Sequence, residues 1–120
     1  MDVYYRFKFY LNARHSININ GRQSNKHPHT WEVSIAIKPM EQQFLNFSLF
    51  EKEIEDYFES YEGKYLNDTE NFSALEPTME NLGISFYKEL KSLMEKKKLK
   101  LLELEINENP TRKFIINGVE

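Results

Sequence analysis

Hydrophobic and polar residues alternate along the first segment of the chain, residues 3–15. The apolar positions of this segment share one face, and they are Val3, Tyr5, Phe7, Phe9, Leu11 and Ala13. A period of two predicts a half-buried strand. A second alternating run, residues 27–37, ends before Pro39, which cannot donate a hydrogen bond to a sheet. The polar residues 16–26 between the two runs are predicted as a connecting loop, so the strands would pair as an antiparallel hairpin.

Apolar residues recur at helical spacing in the middle of the chain. They predict one helix over residues 48–61 and a second that begins after Pro77, with Thr78 as its N-cap. Two shorter alternating runs, residues 102–106 and 113–117, predict a third and a fourth strand. The order ββααββ predicts an α+β fold, a four-stranded antiparallel sheet with two helices, in a single domain over residues 1–120.

The composition narrows the classes of function. The 120 residues are 40% hydrophobic and 14% aromatic, which is enough for a compact core. The formal net charge of -3 does not favour nucleic acid or an anionic membrane as a partner. The chain contains no cysteine, so disulfides, thiolate ligands and cysteine nucleophiles are excluded. It shows no signal-peptide pattern and no apolar run of bilayer length, so a cytoplasmic location is expected.

The three histidines of the chain lie close together in sequence and are candidate metal ligands. His27 and His29 are two residues apart on a predicted strand, so their side chains project from the same face. His15 ends the neighbouring strand with the parity of its apolar face. Three neutral imidazoles with an open fourth position are a known catalytic zinc arrangement. The alternative is that they are ordinary histidines of a loop and of strand ends.

Glu108 is a candidate ligand-binding residue. It continues the inward parity of Leu102, Leu104 and Ile106 on the third predicted strand. A carboxylate on that side is costly unless it is paired or hydrogen-bonded. Two adjacent N–H donors, such as those of the amino-pyrimidinone edge of a pterin or guanine, would satisfy it. The alternative is that the strand has already ended and Glu108 points into solvent.

Several short motifs occur in order along the chain. They are Ala13-Arg14-His15, His27-Pro28-His29, Asn46-Phe47, Leu66-Asn67-Asp68 and Pro77-Thr78-Met79-Glu80-Asn81, followed by Glu108. Together they resemble the 6-pyruvoyl-tetrahydropterin synthase and 6-carboxytetrahydropterin synthase family, whose pattern is Ala-x-His, His-Gly-His, Asp-Phe, Leu-Asn, Pro-Thr-x-Glu-Asn and a late Glu. The resemblance covers nearly the whole chain, and five motifs in the right order rarely occur by chance.

The resemblance implies the tunnelling fold (T-fold), in which subunits join their sheets into a barrel, usually as trimers stacked into homohexamers. The active sites of the family lie between subunits. It also implies zinc on His15, His27 and His29, and a pterin ring bound by Glu108. Thr78 and Glu80 belong to the matched Pro-Thr-x-Glu-Asn motif and are therefore expected to bind substrate.

The chain departs from the family at the proton-transfer residues. The family cysteine four residues before His-Gly-His is replaced by Gln23, whose amide cannot act as a general base. A variant subgroup uses a nearby glutamate instead, but no acidic residue lies between His15 and Glu32. The family's Asp-His pair before Leu-Asn corresponds to Glu62-Gly63, so Glu62 is the candidate catalytic residue, while Gly63 supplies no side chain.

Three interpretations follow. The first is a zinc-dependent carbon–oxygen lyase acting on a reduced pterin such as dihydroneopterin triphosphate, with Glu62, Lys64 or water as proton carrier. The second is a protein that binds zinc and a pterin or purine without turnover. The third is a structural oligomer with a vestigial site. The sequence leaves open whether the pathway leads to pterins, folates or the modified tRNA base queuosine.

Overall fold

The computed structural model describes residues 1–118; residues 119 and 120, the end of the predicted domain, lie outside the described residues. The strands are β1 (Tyr5–His15), β2 (Asn18–Ile19), β3 (Arg22–Gln23), β4 (His27–Pro39), β5 (Leu99–Asn109) and β6 (Arg112–Asn117), and the helices are α1 (Phe47–Glu59) and α2 (Met79–Lys96). The four long strands form one antiparallel sheet in the order β1-β4-β5-β6. The predicted α+β fold with a four-stranded sheet and two helices is confirmed.

Both helices cover one face of the sheet and create the core. Helix α1 packs near β1, while α2 packs on β5 and β6. Their buried residues join the inward residues of the strands, among them Leu11, Trp31, Ile35, Ile54, Phe86, Leu90 and Leu104. Phe86 links the helices, since its ring centroid lies 5.4 Å from that of Phe58. No helix among residues 1–118 is both long and apolar enough to cross a membrane.

Side-chain caps start both helices. The Asn46 side chain accepts a hydrogen bond from the Leu49 amide at 3.1 Å, so α1 begins one residue earlier than predicted. Thr78 accepts one from the Asn81 amide at 3.1 Å and is the N-cap of α2, as predicted. These caps satisfy amide groups that the first turn of a helix leaves without a partner.

The prediction that residues 16–26 form a plain loop is wrong. The segment contains the small hairpin of β2 and β3. Its turn is Asn20-Gly21, with φ of 51° and 82°. Two successive positive φ angles are typical of a type I′ turn, which matches the twist of paired strands. The segment between the first two histidines is therefore a folded element.

The predicted parity of Leu102 is also wrong. The ladder pairs Ala36 with Glu103 but Ile37 with Leu101, so Leu102 is the extra residue of a bulge. Strand β5 is longer than the predicted run and places Leu99 and Leu101 in the core before the bulge. After the bulge the inward residues are Leu104 and Ile106, which keeps the expected parity on the side of Glu108.

Candidate metal centre and ligand cavity

The hairpin of β1 and β4 brings the three histidines together at one end of the sheet. His15 pairs directly with His27, and Ala13 pairs with His29. Because alternate residues point to one face of a strand, all three rings lie on the face that carries the core. Their centroids are 4.5, 4.8 and 4.9 Å apart. One ligand atom of each ring lies within 4.8 Å of the others, so these histidines could hold a metal ion.

His15 is the most enclosed of the three, with 2% of its surface exposed. Its Nδ1 donates to the Pro77 carbonyl at 2.8 Å. Since a carbonyl only accepts, the proton resides on Nδ1 and Nε2 carries a lone pair. That Nε2 is buried and has no hydrogen-bond partner among the described residues. Burial lowers the pKa of the His15 imidazole, against an opposing contribution from the hydrogen bond to Pro77, and so favours the neutral ring.

His27 shows the same arrangement. Its Nδ1 donates to the Asn25 carbonyl at 2.9 Å. Hydrogen bonds of this kind fix the tautomer and orientation of metal-ligating histidines, and they leave Nε2 free to bind an ion. A set of three imidazoles without thiolates suits zinc or another borderline divalent metal. The residues present therefore fit such an ion.

Glu108 lies beside the histidine cluster. The indole N–H of Trp31 donates to Glu108 Oε1 at 3.2 Å, and Glu108 Oε2 lies 3.7 Å from His29 Nε2. Trp31 is fully buried, and its ring centroid is 5.0 Å from that of His15. The side chain of Glu108 is still 29% exposed. The carboxylate is thus held from the core side while it remains open to a ligand.

A cavity of about 290 Å³ lies next to the cluster. It is lined by His15, Ile17, His27, Thr78, Met79, Glu80, Glu108, Asn109 and Arg112. The cavity brings the start of α2 to the metal ligands and to the end of β5. The Thr78 oxygen accepts the capping hydrogen bond, which leaves its own hydroxyl proton available for a ligand. All three residues predicted to bind substrate, Thr78, Glu80 and Glu108, therefore line one cavity.

Glu62, the predicted catalytic residue, lies outside the cavity beside the histidines. Its two carboxylate oxygens accept hydrogen bonds from the backbone amide and the side-chain amide of Asn12, both at 3.0 Å. Asn12 belongs to the polar face of β1, opposite in parity to His15. Glu62 lines a different cavity, together with Lys8 and Tyr10. Within one chain, the structure does not bring Glu62 to the histidine cavity.

The two positions where the family residues are missing have defined environments. Gln23 Nε2 donates to Ser16 Oγ at 2.6 Å, and Ser16 Oγ is 2.5 Å from the Tyr65 hydroxyl. Gln23 is thus part of a network that fastens the small hairpin to the rest of the chain. Gly63 has a φ of 72°, and its amide donates to the Asn12 carbonyl at 2.7 Å. Neither position supplies a group that can transfer a proton.

Sequence reasoning missed the groups that orient the site. The carbonyls of Pro77 and Asn25 fix two imidazoles, but a backbone carbonyl leaves no signal in residue identity. Trp31 was also not among the residues predicted to form the site. Its signal was present, because it follows His29 at the spacing that places both on one face of a strand and its indole needs an acceptor when buried.

Solved structures similar to the chain share its fold. The 6-pyruvoyl tetrahydropterin synthase of Caenorhabditis elegans has 20% identity and a TM-score of 0.77 over 98% of this chain and 96% of that one. The Plasmodium falciparum enzyme has 14% identity and a TM-score of 0.66 over 99% and 100%. A Plasmodium vivax variant, described as altered at a catalytic glutamate, has 15% identity and a TM-score of 0.63 over 96% and 98%.

Comparison of sequences gives two further findings. Curated protein sequences offer no significant match to this chain. The family model for 6-pyruvoyl tetrahydropterin synthase, in contrast, matches residues 4–119. The match agrees with the resemblance that the five motifs predict, and the subunit architecture of the T-fold, a four-stranded antiparallel sheet with two helices, is confirmed. Because the match spans nearly the whole sequence, the chain belongs to the 6-pyruvoyl tetrahydropterin synthase family and is a tetrahydropterin synthase-like protein.

Proposed function

We propose that this protein binds zinc through His15, His27 and His29 and holds a reduced pterin with Glu108. Thr78 and Glu80 would contact the same ligand from the start of α2. The proposed activity is that of a carbon–oxygen lyase similar to 6-pyruvoyl-tetrahydropterin or 6-carboxytetrahydropterin synthase, with dihydroneopterin triphosphate as substrate.

One observation carries the proposal. The buried Nε2 of His15 has no partner, while the Nδ1 of the same ring is held by the Pro77 carbonyl. An unsatisfied buried acceptor costs on the order of 1–3 kcal/mol. The neighbouring imidazoles of His27 and His29 offer it no proton donor that forms a hydrogen bond. A metal ion shared by the three rings would remove this cost.

The residues of the chain have distinct tasks in this proposal. Zinc, when bound, would supply a Lewis acid that lowers the pKa of a hydroxyl of the pterin side chain. Glu108 would accept hydrogen bonds from the two adjacent N–H groups of the pterin ring. Trp31 would hold Glu108 in place through its indole N–H. Burial of His15 favours the neutral imidazole, which is the form that binds a metal.

Turnover tests the enzymatic part of the proposal. Zinc-loaded protein incubated with dihydroneopterin triphosphate should give a product that lacks the triphosphate, detected by mass spectrometry. The His29→Gln variant is the matched control, because it removes one metal ligand and keeps a polar side chain. If the native protein forms no more product than this variant, the lyase activity is ruled out.

A second candidate function is binding of a pterin or purine without turnover. The environment of Gln23 favours it, since an amide stands where the family has a proton-transferring cysteine and is tied to Ser16. The Plasmodium vivax relative uses a catalytic glutamate, and this chain has no acidic residue between His15 and Glu32. Calorimetry should then show pterin binding that Glu108→Gln weakens about tenfold or more, with no product formed.

The metal content separates both candidates from a vestigial site. Protein purified without added zinc should contain close to one zinc per chain by elemental analysis. The His29→Gln variant should contain much less. Equal and negligible zinc in both proteins would indicate that the site no longer binds metal.

A further inference from the structure

The side chain of Asn67 binds the backbone of the residue that follows a candidate metal ligand. Asn67 lies in the short 3-10 helix Leu66–Asp68, a sequence motif that has no role in the proposal above. Its Nδ2 donates to the Ser16 carbonyl at 2.9 Å, and its Oδ1 accepts from the Ser16 amide at 3.0 Å. One amide side chain therefore satisfies both backbone groups of the residue next to His15.

Ser16 depends on this contact because the sheet ends before it. His15 is the last residue of β1 and pairs with His27, the first residue of β4, so the ladder between these strands stops one residue short of Ser16. Ser16 is 1% exposed, so its amide and carbonyl need partners within the protein. Asn67 takes the place of a strand partner and fixes the backbone at the end of β1.

The same loop also holds the residue before His15. The Arg14 amide donates to the Lys64 carbonyl at 2.9 Å. Residues 64–67 therefore hold β1 at both neighbours of this histidine. The contact at Arg14 uses a backbone carbonyl, which any residue at position 64 would supply. The contact at Ser16 depends on the side chain of Asn67 and can be removed by substitution.

We propose that Asn67 is a positioning residue for the metal, because it fixes the end of β1 so that His15 faces His27 and His29 before the ion binds. The inference rests on the proposed zinc binding. The Pro77 carbonyl orients the ring of His15, whereas Asn67 fixes the backbone from which that ring projects. A site that is already ordered binds more tightly, because less conformational freedom is lost on binding. Groups that orient metal ligands from outside the coordination shell typically change metal affinity by about 10–100-fold.

The zinc affinity of the full chain, measured by competition with a chromophoric chelator below the melting temperature of each variant, tests this role. Asn67→Ala should bind zinc about tenfold or more weakly than the native protein, because the end of β1 must then be ordered when the ion binds. Asn67→Ser should show a similar loss, since its shorter hydroxyl cannot reach both backbone groups of Ser16. It gives the same test if Asn67→Ala does not fold.

Asn71→Ala is the matched control. It removes an amide from the same connection between the helices, where Asn71 Nδ2 donates to the Tyr61 hydroxyl at 2.7 Å and to Glu89 Oε1 at 3.0 Å. This variant should lose stability in urea denaturation but keep a zinc affinity within about twofold of the native value. The proposal is overturned if the Asn67 variants keep native affinity, or if Asn71→Ala loses as much affinity as they do. Native protein that binds no zinc refutes the proposed function and this inference together.

Discussion

At the scale of single residues, His15 links the stability of the protein to its metal. Zinc that binds the folded state alone stabilises it by about 2.7 kcal/mol at a concentration 100 times the dissociation constant. Removal of the metal should therefore lower the melting temperature. We expect a drop of about 10 °C on addition of a chelator, measured by differential scanning calorimetry.

The His29→Gln variant provides the control for this measurement. It lacks one ligand of the ion but keeps the buried His15 and its bond to Pro77. Its melting temperature should be the same with and without chelator, and close to that of the metal-free native protein. A native protein whose melting temperature does not respond to the chelator would contradict the proposed zinc site.

Trp31 is the residue that positions Glu108, and its replacement by Phe should weaken pterin binding. The variant keeps an aromatic ring in the core but loses the N–H that donates to Glu108 Oε1. We expect an affinity for neopterin about fivefold to tenfold lower by calorimetry, with unchanged zinc content.

A merely structural role of Trp31 would give a different result. Phe58→Leu reduces another ring of the same core, one that does not touch Glu108. If Trp31 acts only by filling space, both variants should lose stability in chemical denaturation while their affinity for neopterin remains native. Loss of affinity in Trp31→Phe alone supports the positioning role.

Much of the site was predictable at this scale, because parity along a strand determines the direction of a side chain. The period of two predicts that His15, His27 and His29 share one face, as they do in the structure, and that Glu108 follows the inward residues of its strand. The position of Glu62 cannot be predicted from strand parity. Its position depends on the course of a loop and on its hydrogen bonds to Asn12, and neither follows from a repeating pattern.

At the scale of elements, the packing of α2 on the sheet depends on Gly83. A Cβ at this position would lie 3.0 Å from Ile106 Cγ2, 3.2 Å from Ile116 Cδ1 and 3.3 Å from Phe114 Cδ2. Alanine favours a helix over glycine by about 1 kcal/mol. Overpacking against a filled core costs about 1–3 kcal/mol. We therefore expect Gly83→Ala to lower the free energy of unfolding by about 1 kcal/mol in urea denaturation.

Ser92→Ala is the control for this prediction, since Ser92 is exposed on the same helix. There the gain in helix propensity is not opposed by packing, so its stability should equal or slightly exceed the native value. If Gly83→Ala is also as stable as the native protein, the close approach of α2 to β5 and β6 is wrong.

The elements themselves show where sequence patterns stop being informative. The four long strands and two helices follow from apolar periodicity, and Thr78 marks the start of α2 correctly. The β2–β3 hairpin does not follow from apolar periodicity, because its strands have two residues each and too few positions to alternate. Only its turn, Asn20-Gly21, gives a strong signal in the sequence. The bulge at Leu102 changes parity between two adjacent leucines, Leu101 and Leu102, and their identity does not show which of the two faces the core.

At the scale of the whole molecule, ion pairs organise the face of the sheet opposite the helices. Arg6 on β1 reaches across β4 to Glu103 at 3.1 Å and to Glu105 at 3.5 Å, and so covers the small residue Ala36. Although burial alone would raise it, the surroundings of Glu105, chiefly Glu103, Arg6 and Lys113, hold the pKa of its carboxyl below the ordinary value.

This shift makes stability depend on pH in a definite direction. A carboxyl whose pKa is lower in the folded state stabilises the protein above its ordinary pKa, about 4.3, and loses that contribution as the pH falls through the folded value. Arg6→Gln should therefore be less stable than the native protein at pH 7, by about 0.5 kcal/mol for these partly exposed groups. The difference should shrink toward zero near pH 3 in urea denaturation. Lys100→Gln should show no such convergence.

The edges of the sheet bear on the assembly of the protein. Strands β1 and β6 lie at opposite ends of the sheet order. Residues 62–65 bond the outer edge of β1 at Asn12 and Arg14, so the uncovered part of that edge lies before Asn12. Free edges of long strands readily pair with other chains unless they are covered. Exposed apolar residues lie on both edge strands, among them Tyr5, Tyr10 and Ile115. We propose that β1 of one copy joins β6 of the next, which closes the sheets into the barrel expected from the family resemblance.

Light scattering coupled to gel filtration tests this assembly. The native protein should have three or six times the 14.4 kDa of one chain. Ile115→Lys places a charge beside the β6 edge, a substitution that discourages strand pairing, and should shift the mass toward one chain. Ile84→Lys is the control, because Ile84 is 40% exposed on α2 and belongs to no strand, and it should leave the native mass unchanged. A native protein that stays a single chain at tens of micromolar would exclude the barrel and leave each histidine cavity to act within its own chain.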